Sequence, residues 1–169
     1  MRRGGALLLF LAFAACGEST PAEGRHEDPL EARIQIAENP PKDVPVRFFL
    51  TNRGKEALYV LDWYTPLEGM QGDLFQVARD GKPVPYRSLM VKRGDPGKES
   101  YHRLEPGQSL EAQVPLAPSY DVSLPGAYTV QFVWEGRGDV CRDRDGIPRP
   151  RDAHEHPKLR SNVAAFTVP

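Results

Sequence analysis

The chain has 169 residues, with 22 basic against 23 acidic side chains and a formal net charge of −1. That balance, with both signs interspersed, excludes the basic footprint on which nucleic-acid binding depends. The length allows one domain with a sizeable core. Seventeen prolines and fifteen glycines point to short elements joined by turns rather than to long helices.

The first sixteen residues form a targeting segment. Arg2 and Arg3 give a positive start, Ala6 to Phe13 an apolar run, and Ala14-Ala15-Cys16 a lipobox-like cleavage site. The apolar run is too short to span a hydrocarbon core of ~30 Å. Residues 1–15 are therefore expected to be removed as a lipoprotein signal peptide, with Cys16 carrying the lipid. Gly17 follows the cysteine where Asp would mark retention. The destination expected is export to a membrane-anchored state, on the outer-membrane or periplasmic face in a Gram-negative cell. Removal of the leader takes only two charges with it and leaves 154 residues at a net charge of −3. With Cys16 acylated, Cys141 has no disulfide partner, so the core must hold the fold alone. Residues 16–30 lack any apolar period and are expected to be a flexible tether.

From residue 31 the pattern changes to short β-type runs. Ile34 and Ile36 alternate with polar neighbours, and Val44 to Thr51 is a strong strand closed by Asn52-Arg53-Gly54. Ala57 to Trp63 follows. Leu74 to Val77 then leads into Asp80-Gly81, a hairpin turn from which Pro83 to Tyr86 returns. Leu89 to Val91, Tyr101 to Leu104, Leu110 to Leu116, Tyr128 to Trp134 and Ala164 to Val168 complete the series. No segment of helical length carries an i, i+3, i+4, i+7 stripe. The reading is an all-β chain: an immunoglobulin-like antiparallel β-sandwich of about seven to nine strands over residues 31–169. Paired aromatics such as Phe48/Phe49, Trp63/Tyr64 and Phe132/Trp134 belong mainly to its core, alternate members facing out. Residues 136–162 are a long polar insertion before the last strand, with only Val140, Ile147 and Leu159 to bury. Trimming it is expected to change stability little.

Several ordered blocks carry a resemblance. They are Leu50-Thr-Asn-Arg-Gly54, Trp63-Tyr-Thr-Pro-Leu-Glu-Gly69, Phe75 to Tyr86, Val91-Lys-Arg-Gly94, Leu104 to Ser109, Ser119-Tyr-Asp121 and Pro125 to Val130. Over roughly residues 32–134 and the final strand the chain resembles the N-terminal domain of peptidyl-Lys, deuterolysin-type (aspzincin) metalloendopeptidases. The resemblance implies a pro-region-like β-sandwich that contacts a zinc protease. The catalytic half, with its His-Glu-x-x-His helix, has no counterpart in this sequence. His26-Glu-Asp-Pro-Leu30 has no second histidine, and His154-Glu-His-Pro-Lys158 spaces its histidines two apart beside a helix-breaking proline. Protease activity is therefore not expected.

Other chemistry is weak. Cys141, Asp143, Asp145, Asp152, His154 and His156 crowd the insertion, but cysteine stands where a calcium loop needs an oxygen ligand. Arg142, Arg144, Arg149 and Arg151 would repel a cation there, so no metal and no cofactor are expected. A nucleophile elbow and a phosphate-cradling loop are absent from the sequence. Cys141 reads as a free surface thiol, with thiolate donation to a partner's zinc as the sharper alternative. The contact candidates are Trp63, Tyr64, Leu67 and Glu68, at a sandwich end where amphipathic rings can anchor an interface, joined by Lys92 and Arg93. The function expected is a lipid-anchored, non-enzymatic binding module whose partners are the membrane and a secreted zinc protease. The alternative is a structural or accessory envelope lipoprotein, and a hydrolase is the remote third.

Overall fold

The computed structural model describes residues 29–169; the expected signal peptide, Cys16 and most of the expected tether lie outside them. Eleven strands follow one another: β1 (Leu30–Gln35), β2 (Pro45–Asn52), β3 (Leu58–Leu61), β4 (Phe75–Arg79), β5 (Lys82–Pro83), β6 (Tyr101–Leu104), β7 (Ser109–Pro115), β8 (Gly126–Glu135), β9 (Val140–Cys141), β10 (Lys158–Arg160) and β11 (Ala164–Val168). The surplus over the expected seven to nine consists of β9 and β10, pieces of two and three residues inside the 136–162 insertion, and the expected return of the hairpin over Pro83 to Tyr86 is cut to the two residues of β5. Every pairing is antiparallel.

One sheet has the order β1-β2-β7, and a second runs β10-β8-β4-β5 with β11 following β10 along the same side of β8. The two pack face to face because their strands alternate. Val46, Phe48 and Leu50 of β2 and Tyr128, Val130, Phe132 and Trp134 of β8 are all buried. The rings of Phe48 and Phe132 meet edge to face at 4.8 Å between centroids. Phe49, one position on, turns away from the core and carries the Arg47 guanidinium at 5.1 Å. Phe132 and Trp134 both point inward because they are two residues apart. The all-β antiparallel sandwich read from the sequence is thus the fold.

The Asp80-Gly81 turn joins β4 to β5 with both residues at positive φ, 48° and 76°. This is the geometry that matches strand twist in a two-residue hairpin. A third small sheet, β6-β3-β9, lies beside the sandwich. Leu58, Val60 and Leu104 feed its side chains into the main core, while Leu61, Trp63, Tyr101, Cys141 and Ile147 form a satellite cluster.

Two expectations change. Leu89 to Val91 is not a strand; its three consecutive apolar residues offer no alternation and find no partner strand. The 136–162 insertion is also not an open loop. Its β9 pairs with β3, its β10 pairs with β8, and Asp139, Cys141, Ile147, Leu159 and Ser161 are buried. Few apolar residues suffice because polar ones do the rest. The carboxylate of fully buried Asp139 accepts hydrogen bonds from the Tyr101 hydroxyl (2.9 Å), the Glu155 amide (2.9 Å) and Arg149 (3.4 Å).

Candidate contact site

The candidate residues meet where β3 runs out. After Leu61 the chain turns over Asp62 and Trp63, and Tyr64 takes a positive φ of 61°. A single 3₁₀ turn, Pro66–Glu68, follows. Thr65 caps it: its hydroxyl accepts from the Leu67 amide at 3.2 Å and donates to the Asp62 carbonyl at 2.5 Å. Proline at the first position has no amide to leave unpaired. Glu68 then reaches back, its Oε1 accepting from the Tyr64 amide at 2.8 Å and its Oε2 pairing with Arg93. The Arg93 guanidinium lies 4.8 Å above the Trp63 ring, a charge held on an aromatic face and paired from the side. Arg137 stacks in the same way on Tyr64, at 5.5 Å.

Trp63, Tyr64, Glu68 and Arg93 are thus one interlocked cluster, although twenty-five residues of chain separate Glu68 from Arg93. Its electrostatics follow from enclosure. Burial pushes the Glu68 carboxyl above its ordinary value of 4.5, and Asp62 adds repulsion; the Tyr64 amide and Arg93 pull the other way. Trp63 is only 9% exposed, sealed by the satellite cluster below and Arg93 above. It plugs the end of the small sheet instead of presenting itself. Leu67 is half-buried and Lys92 exposed, so the outer rim of this corner is Tyr64, Leu67 and Lys92.

The insertion packs along one side of this corner. The Arg151 side chain donates to the Arg93 carbonyl at 2.7 Å, and the Arg151 amide to Asp95 at 3.1 Å. Cys141, expected at the surface, is buried, and its thiol donates to the Asp143 carbonyl at 3.1 Å. Arg149 bridges Asp139 and Glu155 at 3.4 and 2.9 Å. Among the described residues no three of His, Cys, Asp and Glu are grouped to hold a metal ion. None of their helices is long and apolar enough to cross a membrane.

Two features escaped sequence reading. His102 Nε2, on β6, sits 3.2 Å from Oδ2 of Asp62, the residue just past β3, a pair visible only through the strand register that sets Val60 opposite His102. The second is an exposed apolar run at Leu89–Val91. Its signal was present in the sequence, as three apolar residues without period between Ser88 and Lys92.

No family model matches this chain. Over 104 residues, 62% of the chain, it is 38% identical to an extracellular protease of Aeromonas hydrophila, and the match spans 30% of that protein's length.

Proposed function

We propose that this chain is an exported, lipid-anchored β-sandwich that binds and restrains an extracellular protease, acting as a pro-region-like partner and not as an enzyme. The observation that carries the reading is the match itself. A module 38% identical to part of this chain lies within an extracellular protease, where the matching segment occupies 30% of the length. In such a protein the module and the remaining chain are held at high effective concentration. A separate chain must supply its own affinity, and a shared membrane compartment reached through lipidated Cys16 restores part of that concentration.

The corner built from Trp63, Tyr64, Leu67, Glu68, Lys92 and Arg93 is the proposed contact. The first, fourth and last of these build a rigid support, and Tyr64, Leu67 and Lys92 touch the partner. Rigid support lowers the ordering cost of binding. The test is to add the full-length chain in detergent to the purified Aeromonas hydrophila extracellular protease and follow peptide cleavage. Inhibition or binding at about 1 μM or below is expected. Unchanged cleavage together with no binding at that concentration would replace this reading with that of an accessory envelope lipoprotein.

A further inference from the structure

Between β5 and β6 the chain runs through residues 87–97 with neither strand nor helix. From Leu89 to Gly94 there is also no turn or bend, so the backbone runs open. Leu89 is 86% exposed, Met90 70% and Val91 42%; these are three of the five large apolar side chains exposed among the described residues. A folded domain gains nothing by holding three adjacent apolar side chains in water, and such patches mark contact surfaces.

The segment is nevertheless pinned on both sides. Upstream, Tyr86 bridges to Tyr120, the Arg87 amide donates to the Ser119 carbonyl at 2.9 Å, and the Tyr86 hydroxyl donates to the Leu89 carbonyl at 2.8 Å. Downstream, the Val91 amide donates to the Gln71 carbonyl at 3.2 Å, and Arg93 is locked over Trp63 and against Glu68. An open backbone fixed at both ends with protruding apolar side chains is a peptide already ordered for binding.

Charge and position narrow the partner. Of the cations around the tip, Arg87 pairs with Asp121, Arg93 pairs with Glu68 and Lys98 is followed by the acid Glu99, whereas Lys92 has no ion-pair partner among the described residues. The tip is apolar, with one unpaired positive charge, Lys92, beside it. Its place in the fold is set apart from the point where the N-terminal segment joins. Arg87 is tied to Ala117 and Ser119, just past the β7 end that pairs with Pro45. Pro29, where the N-terminal segment joins the sandwich, sits against Arg53 and Gly54 at the Asn52 end of β2. The eight residues of β2 separate the two ends by about 25 Å.

We propose that the Ser88–Lys92 segment is the probe that enters the substrate cleft of the partner protease. Leu89 and Met90 fill apolar pockets there, and Lys92 faces an acidic rim. This rests on the protease-binding reading above and names the surface that performs it. Clefts that bind peptides take extended backbone, which a run free of turns and bends can supply, and the unpaired charge of Lys92 favours approach to an acidic rim.

The experiment compares the full-length chain with Leu89→Ser/Met90→Ser and with the control Val163→Ser, which alters another side chain, 58% exposed, on the β10–β11 connection. Inhibition of the Aeromonas hydrophila extracellular protease is measured for each, and binding to phosphatidylglycerol vesicles and sedimentation are measured for each on a Cys16→Ser background, where no acyl chain contributes. The double variant is expected to inhibit at least tenfold more weakly with an unchanged melting temperature, while Val163→Ser matches wild type. Lys92→Glu is expected to slow association more than it speeds dissociation. Equal inhibition by wild type and double variant would overturn this proposal and leave protease binding standing. Absence of any protease binding by wild type would overturn both. A double variant that loses vesicle binding or self-association, with protease inhibition intact, would overturn it by assigning the segment to a lipid surface or a second copy.

Discussion

At the scale of single residues, the Glu68–Arg93–Trp63 cluster shows what partial enclosure does to a charge. Glu68 is held by a backbone amide and a guanidinium, yet burial raises its pKa above 4.5. The native state therefore keeps the Glu68 proton to higher pH than the unfolded chain does. Between 4.5 and the higher folded value the native state binds more protons, so this group's contribution to stability falls as pH rises through that window. Glu68→Gln is expected to remove that fall. Its amide oxygen can still accept from the Tyr64 amide, so the turn itself should survive. Urea midpoints of the two proteins from about pH 4 to pH 7 are the measurement; parallel profiles would show that Glu68 does not titrate differently on folding. The same residue scale explains why Trp63 makes a poor anchor in its own right. An aromatic ring sealed beneath an arginine offers a partner its cover and not its face.

At the scale of elements, the 136–162 insertion behaves as part of the fold through a buried polar hub. Asp139 gathers the Tyr101 hydroxyl, the Glu155 amide and Arg149, which ties the insertion to β6 and to itself. Burial first, and then the hydrogen bond to Asp139, holds the Tyr101 phenol well above its ordinary value of 10. That phenol thus stays a donor throughout the accessible pH range. Removing the acceptor leaves buried donors without partners, a loss that dominates over the few apolar contacts of this segment. Asp139→Ala is expected to destabilise the protein by roughly 3 kcal/mol, measured by chemical denaturation. A loss below about 1 kcal/mol, the size of an ordinary surface change, would mean that the insertion unfolds independently of the sandwich. The Leu89–Val91 run belongs to the same scale. It carries strand-type residues, but a strand needs a neighbour, and the β4–β5 hairpin that precedes it closes after two residues.

At the scale of the whole molecule, Pro29 meets the sandwich at the Asn52 end of β2, whereas Arg87, beside the exposed apolar segment, is tied down near the Pro45 end. The anchoring proposed at Cys16 lies outside the described residues and has its own test. A thioether to lipid requires sulfur, so Cys16→Ser is expected to abolish acyl labelling and release the protein into the soluble fraction. A variant that still takes up radioactive palmitate and stays with membranes would place the anchor elsewhere. The sequence by itself determined the sandwich, because period-2 burial in Val44 to Thr51 and Tyr128 to Trp134 and the Asp80-Gly81 turn are local signals that need no distant partner. It also showed the strength of β8, whose alternate large side chains reach the core from either end. Only the tertiary structure decided which of the candidate residues work together. Glu68 and Arg93 meet across distant chain, Trp63 goes under cover, and Asp139 and Cys141 are buried by pairings that the polar composition of their segment concealed. The physical reason is common to all of these. Backbone alternation is written in neighbouring residues, whereas the satisfaction of a buried charge depends on donors that only folding brings within reach.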